Sequence, residues 1–408
     1  MKKIVILAMV MLFAVTLQAQ TDTIRVATYN VLNWPEDAPN VRLPHFQLIF
    51  GEIDPDLIIC QEFKSEAGAN QFLEEIIDPD VYSRSRSRLL FSNDNLLFYK
   101  HDKFELIEET AVGTNLRDVL IYELHYLSEE IDAPPLFFAS AHLKAGNSEE
   151  DANQRRSEAR SFVRIVSRDF VDAHMIFGGD LNVYGSGEGA YLEFMADSLF
   201  YDPLSRAGTW HDSQRFADIH TQSTRRNILG SGSTGGMDDR FDFLLMSNEL
   251  NHAGGWSYVE DSYFVFGQDG DHFDGSINRR NNAVSEEMAE ALYQASDHLP
   301  VIASIVVGEP NSIDEREEVF VTSKNLMTAS PNPFNSTINL SFNLVVAGTA
   351  AITIHDINGS QISEIVSGNL PMGIYTVTWH ANDYPSGIYF AKLNMDQTSQ
   401  TIKLTLIR

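Results

Sequence analysis

Residues 176–182 have the sequence Ile-Phe-Gly-Gly-Asp-Leu-Asn, an apolar run that ends in a carboxylate and an amide. Earlier apolar runs of similar length end in Asn30, Glu62 and His142. Runs of this length and composition predict β-strands. Because an open sheet places its ligand crevice at the ends of its strands, we expect these polar side chains to line one functional site.

The same pattern extends over most of the chain. Between Ile24 and Val307, strand-like runs alternate with amphipathic stretches of helical spacing, such as Gly68 to Ile77 and Ala152 to Phe170. This alternation predicts an α/β sandwich. The strand-like runs include Ile24 to Tyr29, Leu57 to Cys60, Leu96 to Tyr99, Leu136 to Ala141, Met175 to Phe177, Phe241 to Met246 and Val301 to Val306.

The beginning of the chain has a different composition. Lys2 and Lys3 precede an apolar run from Ile4 to Leu17, which predicts a secretory signal peptide over residues 1–19. The run is shorter than the roughly 20 apolar residues of a membrane-spanning helix. We therefore expect an exported protein with no transmembrane segment in its mature form.

The rest of the chain is expected to form two domains. A catalytic domain is predicted over residues 20–308, and a charged stretch with Pro and Gly predicts a linker over residues 309–325. Residues 326–408 contain short strand-like runs between Pro, Gly and Asn turns, which predicts a small all-β sandwich.

Net charge and cysteine content restrict the possible functions. The formal net charge of -28 disfavours tight passive binding to a polyanion, although carboxylates that collect divalent cations still allow a local phosphate site. The single cysteine, Cys60, excludes an internal disulfide. Its apolar surroundings favour a buried strand residue over a catalytic thiol.

Two further motifs bring the candidate residues together. Arg240-Phe-Asp-Phe243 begins one strand-like run, and Ser296-Asp-His-Leu-Pro300 enters another. With the three strand ends at Asn30, Glu62 and His142 and the GGDLN segment, they occur in the order found in the endonuclease/exonuclease/phosphatase superfamily, which includes deoxyribonuclease I. The resemblance covers roughly residues 24 to 307 and implies a four-layered α/β sandwich of the deoxyribonuclease I type.

The resemblance also implies a metal site. Hydrolysis of a phosphate ester needs a hard cation, and carboxylate and amide oxygens are its usual ligands. Glu62 is the first expected ligand, and Asn30 and Asp297 are expected to assist directly or through water. The expected ion is Mg²⁺ or Mn²⁺, with Ca²⁺ as an alternative.

Roles in the reaction follow from the same resemblance. Asp180 is expected to orient or deprotonate the attacking water, and Asn182 to hold a phosphate oxygen. His298 is expected to contact the scissile phosphate while it hydrogen-bonds the carboxylate of Asp242.

Two more residues complete the expected phosphate site. His142 is expected to act as a phosphate ligand or general acid. Arg117, at the start of the strand-like Leu116 to Leu120, is expected to act as a phosphate clamp.

Other polar segments are interpreted without a catalytic role. The set formed by His211, Asp212, Asp218 and His220 is interpreted as a polar substrate loop, with a second metal site as the alternative. Residues 230–236 form a glycine-rich run without the Lys-Ser/Thr ending of a phosphate-binding loop. The basic run at residues 83–88 is interpreted as a solvated loop, with contact to a nucleic-acid backbone as the alternative.

The end of the chain has a separate resemblance. Ala329-Ser-Pro-Asn-Pro-Phe-Asn335 and the later Pro385-Ser-Gly-Ile-Tyr-Phe390 resemble the sorting domain of proteins exported by the type IX secretion system. The resemblance implies a partner in the type IX secretion machinery and a secreted or cell-surface protein that passes through the periplasm. A generic adhesion or carbohydrate-binding sandwich is the alternative.

The sequence thus predicts a secreted, metal-dependent phosphodiesterase, expected as a monomer, with an endonuclease acting on DNA or RNA as the favoured form. A sphingomyelinase-like phospholipid phosphodiesterase and a phosphomonoesterase are alternatives within the enzyme class. The lipid alternative requires an exposed apolar hairpin, for which Trp256 to Phe266 is the candidate. A catalytically silent surface binding module is the alternative from another class.

Overall fold

A computed structural model describes residues 21–407, apart from residues 37, 87–93, 197–198, 252–254, 309–326, 331, 333, 345–347, 358–359, 371–372, 383 and 396–397. The predicted signal peptide and linker therefore lie outside the described residues. The chain divides into two compact units, Met1–Ser312 and Ile313–Arg408.

In its described part, the first unit contains two β-sheets and α-helices that pack on their outer faces. The strands are β1 (Asp22–Trp34), β2 (Leu57–Phe63), β3 (Tyr82–Arg84), β4 (Asp94–Lys100), β5 (Phe104–Val112), β6 (Val119–Tyr126), β7 (Leu136–His142), β8 (His174–Asp180), β9 (Phe200–Tyr201), β10 (Asp242–Ser247), β11 (Trp256–Tyr258), β12 (Phe264–Val265) and β13 (Val301–Val307). The helices are α1 (Pro39–Ile53), α2 (Glu66–Phe72), α3 (Glu149–Asp169), α4 (Gly189–Phe194) and α5 (Glu286–Ala295).

The strands form two mixed sheets. The first sheet has the order β11-β13-β1-β2-β4-β3, with β12 also paired to β13, and the second has the order β5-β6-β7-β8-β10-β9. Strands β1 and β2 are parallel, as are β7 and β8, and β13 and β10 run antiparallel to their neighbours β1 and β8. The parallel pairs place the carboxyl ends of consecutive strands at one edge of each sheet.

Alternation along the strands of the second sheet determines which face meets which layer. On β6, Leu120 and Tyr122 pack in the core shared with the first sheet, whereas Ile121 packs on the opposite face, in the core that contains Phe162 of α3 and Phe194 of α4. The buried apolar residues of helices α1 and α5 belong to the same core as those of the first sheet, called the first core below. The predicted four-layered α/β sandwich is therefore confirmed, since two facing sheets lie between two helical layers.

Several elements differ from their predicted extent. The expected helix at residues 68–77 consists of α2 followed by a π-helical turn, Leu73–Ile77. Helix α1 was not predicted, because Pro39 and Pro44 lie inside its range and its apolar residues do not form a clear stripe. Arg117 precedes β6 and lies in a bend, not in the predicted strand.

The second unit is a sandwich of two antiparallel sheets in its described residues. Its strands are β14 (Met327–Ser330), β15 (Thr337–Leu344), β16 (Gly348–His355), β17 (Gln361–Leu370), β18 (Gly373–His380), β19 (Gly387–Met395) and β20 (Thr398–Leu406). They form the sheets β14-β15-β18 and β17-β16-β19-β20. The core between them includes Trp379, whose ring packs against Phe334 and Tyr389.

The lone cysteine agrees with the sequence interpretation. Cys60 is fully buried on β2, and burial raises the pKa of its thiol well above the ordinary value, as expected for a structural strand residue. Among the described residues, no helix is both long enough and apolar enough to span a bilayer.

Candidate active site

Strand register aligns three of the predicted residues across the second sheet. On the parallel pair β7 and β8, His142 is opposite Asp180, and on the antiparallel pair β8 and β10, Asp180 is opposite Asp242. All three are almost fully buried. The strand ends therefore place an imidazole and two carboxylates in one row, with Asp180 in the middle.

The first sheet contributes a second group of polar residues. Asn30 and Glu62 lie near the ends of the parallel strands β1 and β2, where Asn30 pairs with Gln61. The side-chain amide of Asn30 donates to Glu62 Oε1 and to Asp180 Oδ2, each at 3.1 Å. One amide group thus connects the functional residues of the two sheets.

Backbone strain accompanies these positions. Glu62 has φ +73° and Asn182 has φ +50°, which are left-handed conformations that non-glycine residues rarely adopt. Leu32 and Asn33 also have positive φ, and their turn directs the Asn33 backbone N–H to Glu62 Oε2 at 2.9 Å. Strain of this kind persists where the surrounding structure fixes a functional side chain.

Asp180 Oδ2 is the centre of the site. It lies 3.1 Å from the amide nitrogen of Asn30, 3.6 Å from His142 Nε2 and 3.7 Å from His298 Nε2. Burial is the main cause that raises the pKa of Asp180 to about 7, with Asp242 and Glu62 acting in the same direction and His298 opposing them. A carboxylate with a pKa near neutrality is suited to take a proton from water.

His298 is held by a carboxylate. Its Nδ1 lies 2.7 Å from Asp242 Oδ2, and both residues are buried. Burial alone would lower the pKa of His298, but Asp242, Asp297 and Asp180 outweigh it and hold the pKa well above the ordinary value. These carboxylates favour the imidazolium form of the ring, whose Nδ1–H donates to Asp242 Oδ2.

His142 is in a different electrostatic state. Burial and then Arg117 hold the pKa of His142 well below its ordinary value, so the ring is neutral. Arg117 donates through Nη1 to His142 Nδ1 at 2.9 Å and through Nη2 to the Leu143 carbonyl at 3.1 Å. Since Nδ1 accepts this bond, the single ring proton lies on Nε2, which faces Asp180 and Glu62.

This tautomer limits which atoms could hold a metal ion. Ligand atoms of Glu62, His142 and Asp180 lie within 4.8 Å of one another. A protonated Nε2 has no lone pair for a cation, so the carboxylates of Glu62 and Asp180 are the available ligands. The oxygen of Asn30 accepts from the Leu32 N–H at 3.0 Å, so Asn30 presents its NH₂ group to these carboxylates and not its oxygen.

The other predicted ligand, Asp297, lies beneath the glycine-rich loop. Its Oδ2 accepts from the Ser233 backbone N–H at 2.6 Å, and a Cβ on Gly232 would lie 2.8 Å from the same oxygen. Its Oδ1 is buried and has no hydrogen-bond partner among the described residues. Among the described residues, Asp297 does not belong to the group of possible metal ligands formed by Glu62, His142 and Asp180.

The remaining predicted phosphate ligand is Asn182. Its backbone N–H donates to Asp180 Oδ1 at 3.1 Å, and its side-chain amide donates to the Leu143 carbonyl at 3.3 Å. Asn182 is thus adjacent to Asp180. The structure brings the predicted catalytic residues to one edge of the two sheets.

The polar set of residues 211–220 does not form one loop site. His220 is fully buried, and its ring nitrogens lie 2.8 Å from the Trp210 carbonyl and 3.3 Å from the Met237 carbonyl, so it is a structural residue. Asp218 pairs with Arg206 at the surface. The expectation of a single polar substrate loop is therefore not met.

His211 belongs to another group of residues. Its Nδ1 lies 2.8 Å from Asp239 Oδ1, its ring makes an edge contact with Tyr184, and ligand atoms of His211, Asp238 and Asp239 lie within 4.8 Å of one another. Burial, and then Asp239, raise the pKa of Asp238 to about 7. This group is partly exposed, and burial raises the pKa of Asp239 against the opposing effect of His211.

Sequence motifs did not identify two residues that contact the site. Asn33 binds Glu62 through its backbone, which no side-chain pattern reports. Gln222 lies with its side-chain amide 2.5 Å from His298 Nε2, within the segment Thr221 to Thr224, which carries no recognisable motif. Only spatial proximity identifies them.

The sorting-domain resemblance is confirmed by comparison with known families. Residues 329–407 match the family model described as a secretion system C-terminal sorting domain. The chain is therefore a secreted or cell-surface protein. No curated protein matches the chain.

Solved structures similar to the chain include D. rerio TDP2 in complex with a single-strand DNA product, which is 14% identical with a TM-score of 0.48 over 69% of this chain and 98% of that chain. An endonuclease/exonuclease/phosphatase family protein from Bacteroides thetaiotaomicron is 16% identical with a TM-score of 0.46 over 71% and 99% of the two chains. The human Nocturnin catalytic domain with a bound sulfate is 14% identical with a TM-score of 0.46 over 70% and 97%.

Proposed function

We propose that the first unit is a metal-dependent phosphodiesterase of the endonuclease/exonuclease/phosphatase type, with a phosphodiester of DNA or RNA as its substrate. The observation that carries this proposal is the environment of Asp180 Oδ2, which has the Asn30 amide, a neutral imidazole and an imidazolium within 3.7 Å. A base between two hydrogen-bond donors is the arrangement that hydrolysis of a phosphate ester requires.

The donor set of the site fits a hard divalent cation. The side chains of Glu62 and Asp180 share one amide donor, and within the described part of the chain neither carboxylate forms an ion pair with a lysine or arginine. Glu62 and Asp180 would hold the ion, with Asn30 keeping the two carboxylates in place and the orphaned Asp297 Oδ1 available for a water ligand. When bound, Mg²⁺ or Mn²⁺ would neutralise charge that develops on the phosphate oxygens.

The protein side chains would act on the water and on the phosphate. Asp180 orients the water and accepts its proton, since its carboxylate is buried at the centre of the site, 3.6 Å from His142 Nε2 and 3.7 Å from His298 Nε2. His298 donates from Nε2 to a non-bridging oxygen, while Asp242 holds its Nδ1 at 2.7 Å. The two groups start in opposite protonation states, so a proton can be accepted on one side and a hydrogen bond donated on the other.

A second donor would lie on the other side of Asp180. His142 is neutral with its proton on Nε2, so it can donate to a phosphate oxygen or to the leaving oxygen. Arg117 would act through His142, to whose Nδ1 its Nη1 donates, while its Nη2 donates to the Leu143 carbonyl. This differs from the direct phosphate clamp that the resemblance implied. Asn182 would complete the donor set beside Asp180.

The choice of nucleic acid over lipid has a structural argument. In the segment Trp256 to Phe266, Trp256 is fully buried and donates from Nε1 to the Pro134 carbonyl, and Tyr263 is also buried. Phe264 is the large exposed apolar residue of that segment, at 49%. One exposed ring provides little apolar area for a membrane contact, so the hairpin does not support a sphingomyelinase-like function.

A panel of substrates tests the proposal. Supercoiled plasmid, single-stranded RNA, sphingomyelin and a phosphomonoester would be incubated in parallel with wild-type protein, with Mg²⁺ or with EDTA, and with His298→Ala. We expect metal-dependent cleavage of plasmid or RNA that His298→Ala reduces at least about 100-fold. Turnover of sphingomyelin alone would assign the lipid alternative, and absence of turnover on every substrate would favour the silent binding module.

A further inference from the structure

Gln222 is a polar residue beside the site, and the proposed reaction gives it no role. Its backbone is hydrogen-bonded to the segment that leads into β10, with Gln222 N–H donating to the Asp239 carbonyl at 3.1 Å and Asp239 N–H donating to the Gln222 carbonyl at 2.9 Å. Its position is therefore fixed relative to Asp242, which follows shortly after Asp239 in the chain.

The same segment is also attached to the chain around His298. Leu299 N–H donates to the Thr221 carbonyl at 2.8 Å, and Thr224 N–H donates to the Asp297 carbonyl at 3.0 Å. Thr221 Oγ accepts from the Asp242 N–H at 3.1 Å. The residues on either side of Gln222 thus tie together the two chain segments that supply the His298–Asp242 pair.

The side chain of Gln222 occupies the reactive nitrogen of His298. The amide nitrogen lies 2.5 Å from Nε2, while Nδ1 lies 2.7 Å from Asp242 Oδ2. The oxygen and the NH₂ group of a carboxamide have nearly the same shape, so the amide can donate to Nε2 through its NH₂ group or accept from it through its oxygen. In both orientations the amide occupies Nε2, the nitrogen that would meet the phosphate.

We propose that Gln222 is a substrate-positioning residue: its amide holds His298 at Nε2 before the phosphate arrives, and its NH₂ group then donates to the phosphate oxygen that takes this place. The inference rests on the proposed phosphodiesterase function. The phosphate displaces the amide from Nε2 and gains the amide NH₂ as a second donor, so His298 and the amide both keep a hydrogen-bond partner. Gln222 acts on the reaction through His298 and through substrate binding.

Two substitutions separate positioning from mere packing. Gln222→Met keeps the length of the side chain and removes both polar groups, so the ring loses its orientation and the phosphate loses a donor. Gln222→Glu keeps a hydrogen-bonding group at Nε2, but its negative charge repels the phosphate. We expect Gln222→Met to reduce kcat/KM about 10- to 100-fold with both kcat and KM affected. Gln222→Glu is expected to raise KM further.

The matched control is Gln268→Met. Gln268 is a half-buried glutamine whose amide donates to the His220 carbonyl and accepts from the Gly270 N–H, each at 3.0 Å, and it has no place in the site. Its substitution is expected to leave kcat and KM unchanged. Thermal unfolding of each variant shows whether an effect comes from loss of folding.

The decisive readouts are steady-state kinetics on the substrate that the wild type cleaves and the ring ¹⁵N shifts of His298, assigned through His298→Ala. A changed Nε2 shift together with reduced kcat/KM in Gln222→Met supports the proposal. Wild-type kcat and KM in both Gln222 variants overturn it. If the wild type cleaves nothing, the proposed function fails, and calorimetry with inorganic phosphate then decides: weaker binding by Gln222→Met supports the positioning role, and equal binding overturns it.

Discussion

One neighbouring residue, Arg117, determines which ring nitrogen of His142 carries the proton. Arg117 donates to Nδ1 at 2.9 Å, and the guanidinium helps burial to hold the pKa of His142 below its ordinary value. The ring proton therefore lies on Nε2, toward Asp180. A hydrogen-bond partner on one ring nitrogen commonly fixes the function of the other nitrogen.

Substitution of Arg117 tests this dependence. In Arg117→Met, Nδ1 loses its donor and the ring can carry its proton on either nitrogen. We expect kcat to fall about 10- to 100-fold, as measured by steady-state hydrolysis of the preferred phosphodiester. The control is Arg168→Met, since Arg168 is exposed and pairs with the adjacent Asp169. Unchanged kcat in Arg117→Met would refute the role of Arg117.

The sequence motifs identified the site residues but did not predict their protonation or the orientation of their hydrogen-bonding groups. Asp180 and His298 were predicted from motifs, yet burial raises the pKa of Asp180, and nearby carboxylates, above all Asp242, raise the pKa of His298 against the effect of burial. The side-chain amide of Asn30 points its NH₂ group toward Glu62 because its oxygen accepts from the Leu32 N–H. Such properties arise from tertiary contacts, and a linear motif does not contain them.

At the level of elements, the two glycines of β8 are required by close backbone approach. A Cβ on Gly179, which has φ +118°, would lie 2.0 Å from the Ala141 carbonyl oxygen, and a Cβ on Gly178 would lie 2.3 Å from the Phe243 carbonyl oxygen. Both contacts are with the neighbouring strands β7 and β10. The glycines thus allow the register that aligns His142, Asp180 and Asp242.

Alanine at these positions tests that requirement. Gly179→Ala forces the strands apart and strains a left-handed backbone, so we expect a loss of at least about 1–3 kcal/mol in unfolding free energy. Gly51→Ala is the control, because Gly51 lies in α1 with no described atom within 4 Å of the place where a Cβ would lie, and alanine there should stabilise by about 0.4–1 kcal/mol. Urea unfolding measures both. Equal stability of the two variants would contradict the need for glycine at residue 179.

A buried ion pair holds the chain entering β10. Arg240 donates through Nη1 to Asp202 Oδ2 at 2.6 Å and through Nη2 to Oδ1 at 2.9 Å, and its guanidinium lies 4.2 Å from the Phe243 ring centroid. Burial alone would raise the pKa of Asp202, but Arg240 outweighs it and lowers the pKa below the ordinary value. The pair fixes the segment that precedes Asp242.

The pH dependence of stability tests this pair. Because the folded-state pKa of Asp202 is depressed, its contribution is present above the unfolded-state pKa of about 3.9 and is lost as the pH falls through the folded-state value. Asp202→Asn should therefore flatten the acid limb of the stability curve and cost about 3–5 kcal/mol at neutral pH, because Arg240 is left buried without its partner. Asp218→Asn, at an exposed pair with Arg206, should cost at most about 1 kcal/mol. Similar acid limbs in wild type and Asp202→Asn would contradict the assignment.

Elements differed in how well the sequence predicted them. Strands such as β7 and β13 were found within one residue because apolar runs bounded by turns determine them locally. Helix α1 was missed because its proline residues oppose the local pattern and its stability comes from packing in the first core.

On the scale of the whole molecule, two compact units with separate cores indicate separate tasks. We expect residues 21–308, expressed alone, to fold and to keep the kcat and KM of the full chain. The full chain without residues 329–407 should remain in the periplasm of its native host, as measured by fractionation. Loss of hydrolysis on removal of the second unit would contradict this division.

The central claim is that hydrolysis needs Asp180 and a divalent metal ion. The most direct test is the rate of nicking of supercoiled plasmid by wild type, by Asp180→Asn and by the exposed control Asp169→Asn, each with Mg²⁺ and with EDTA. We predict that wild type and Asp169→Asn nick the plasmid only with Mg²⁺, and that Asp180→Asn is slower by at least about 100-fold. Nicking that persists in EDTA, or that proceeds at the wild-type rate in Asp180→Asn, would contradict the proposed role of Asp180 and the metal ion.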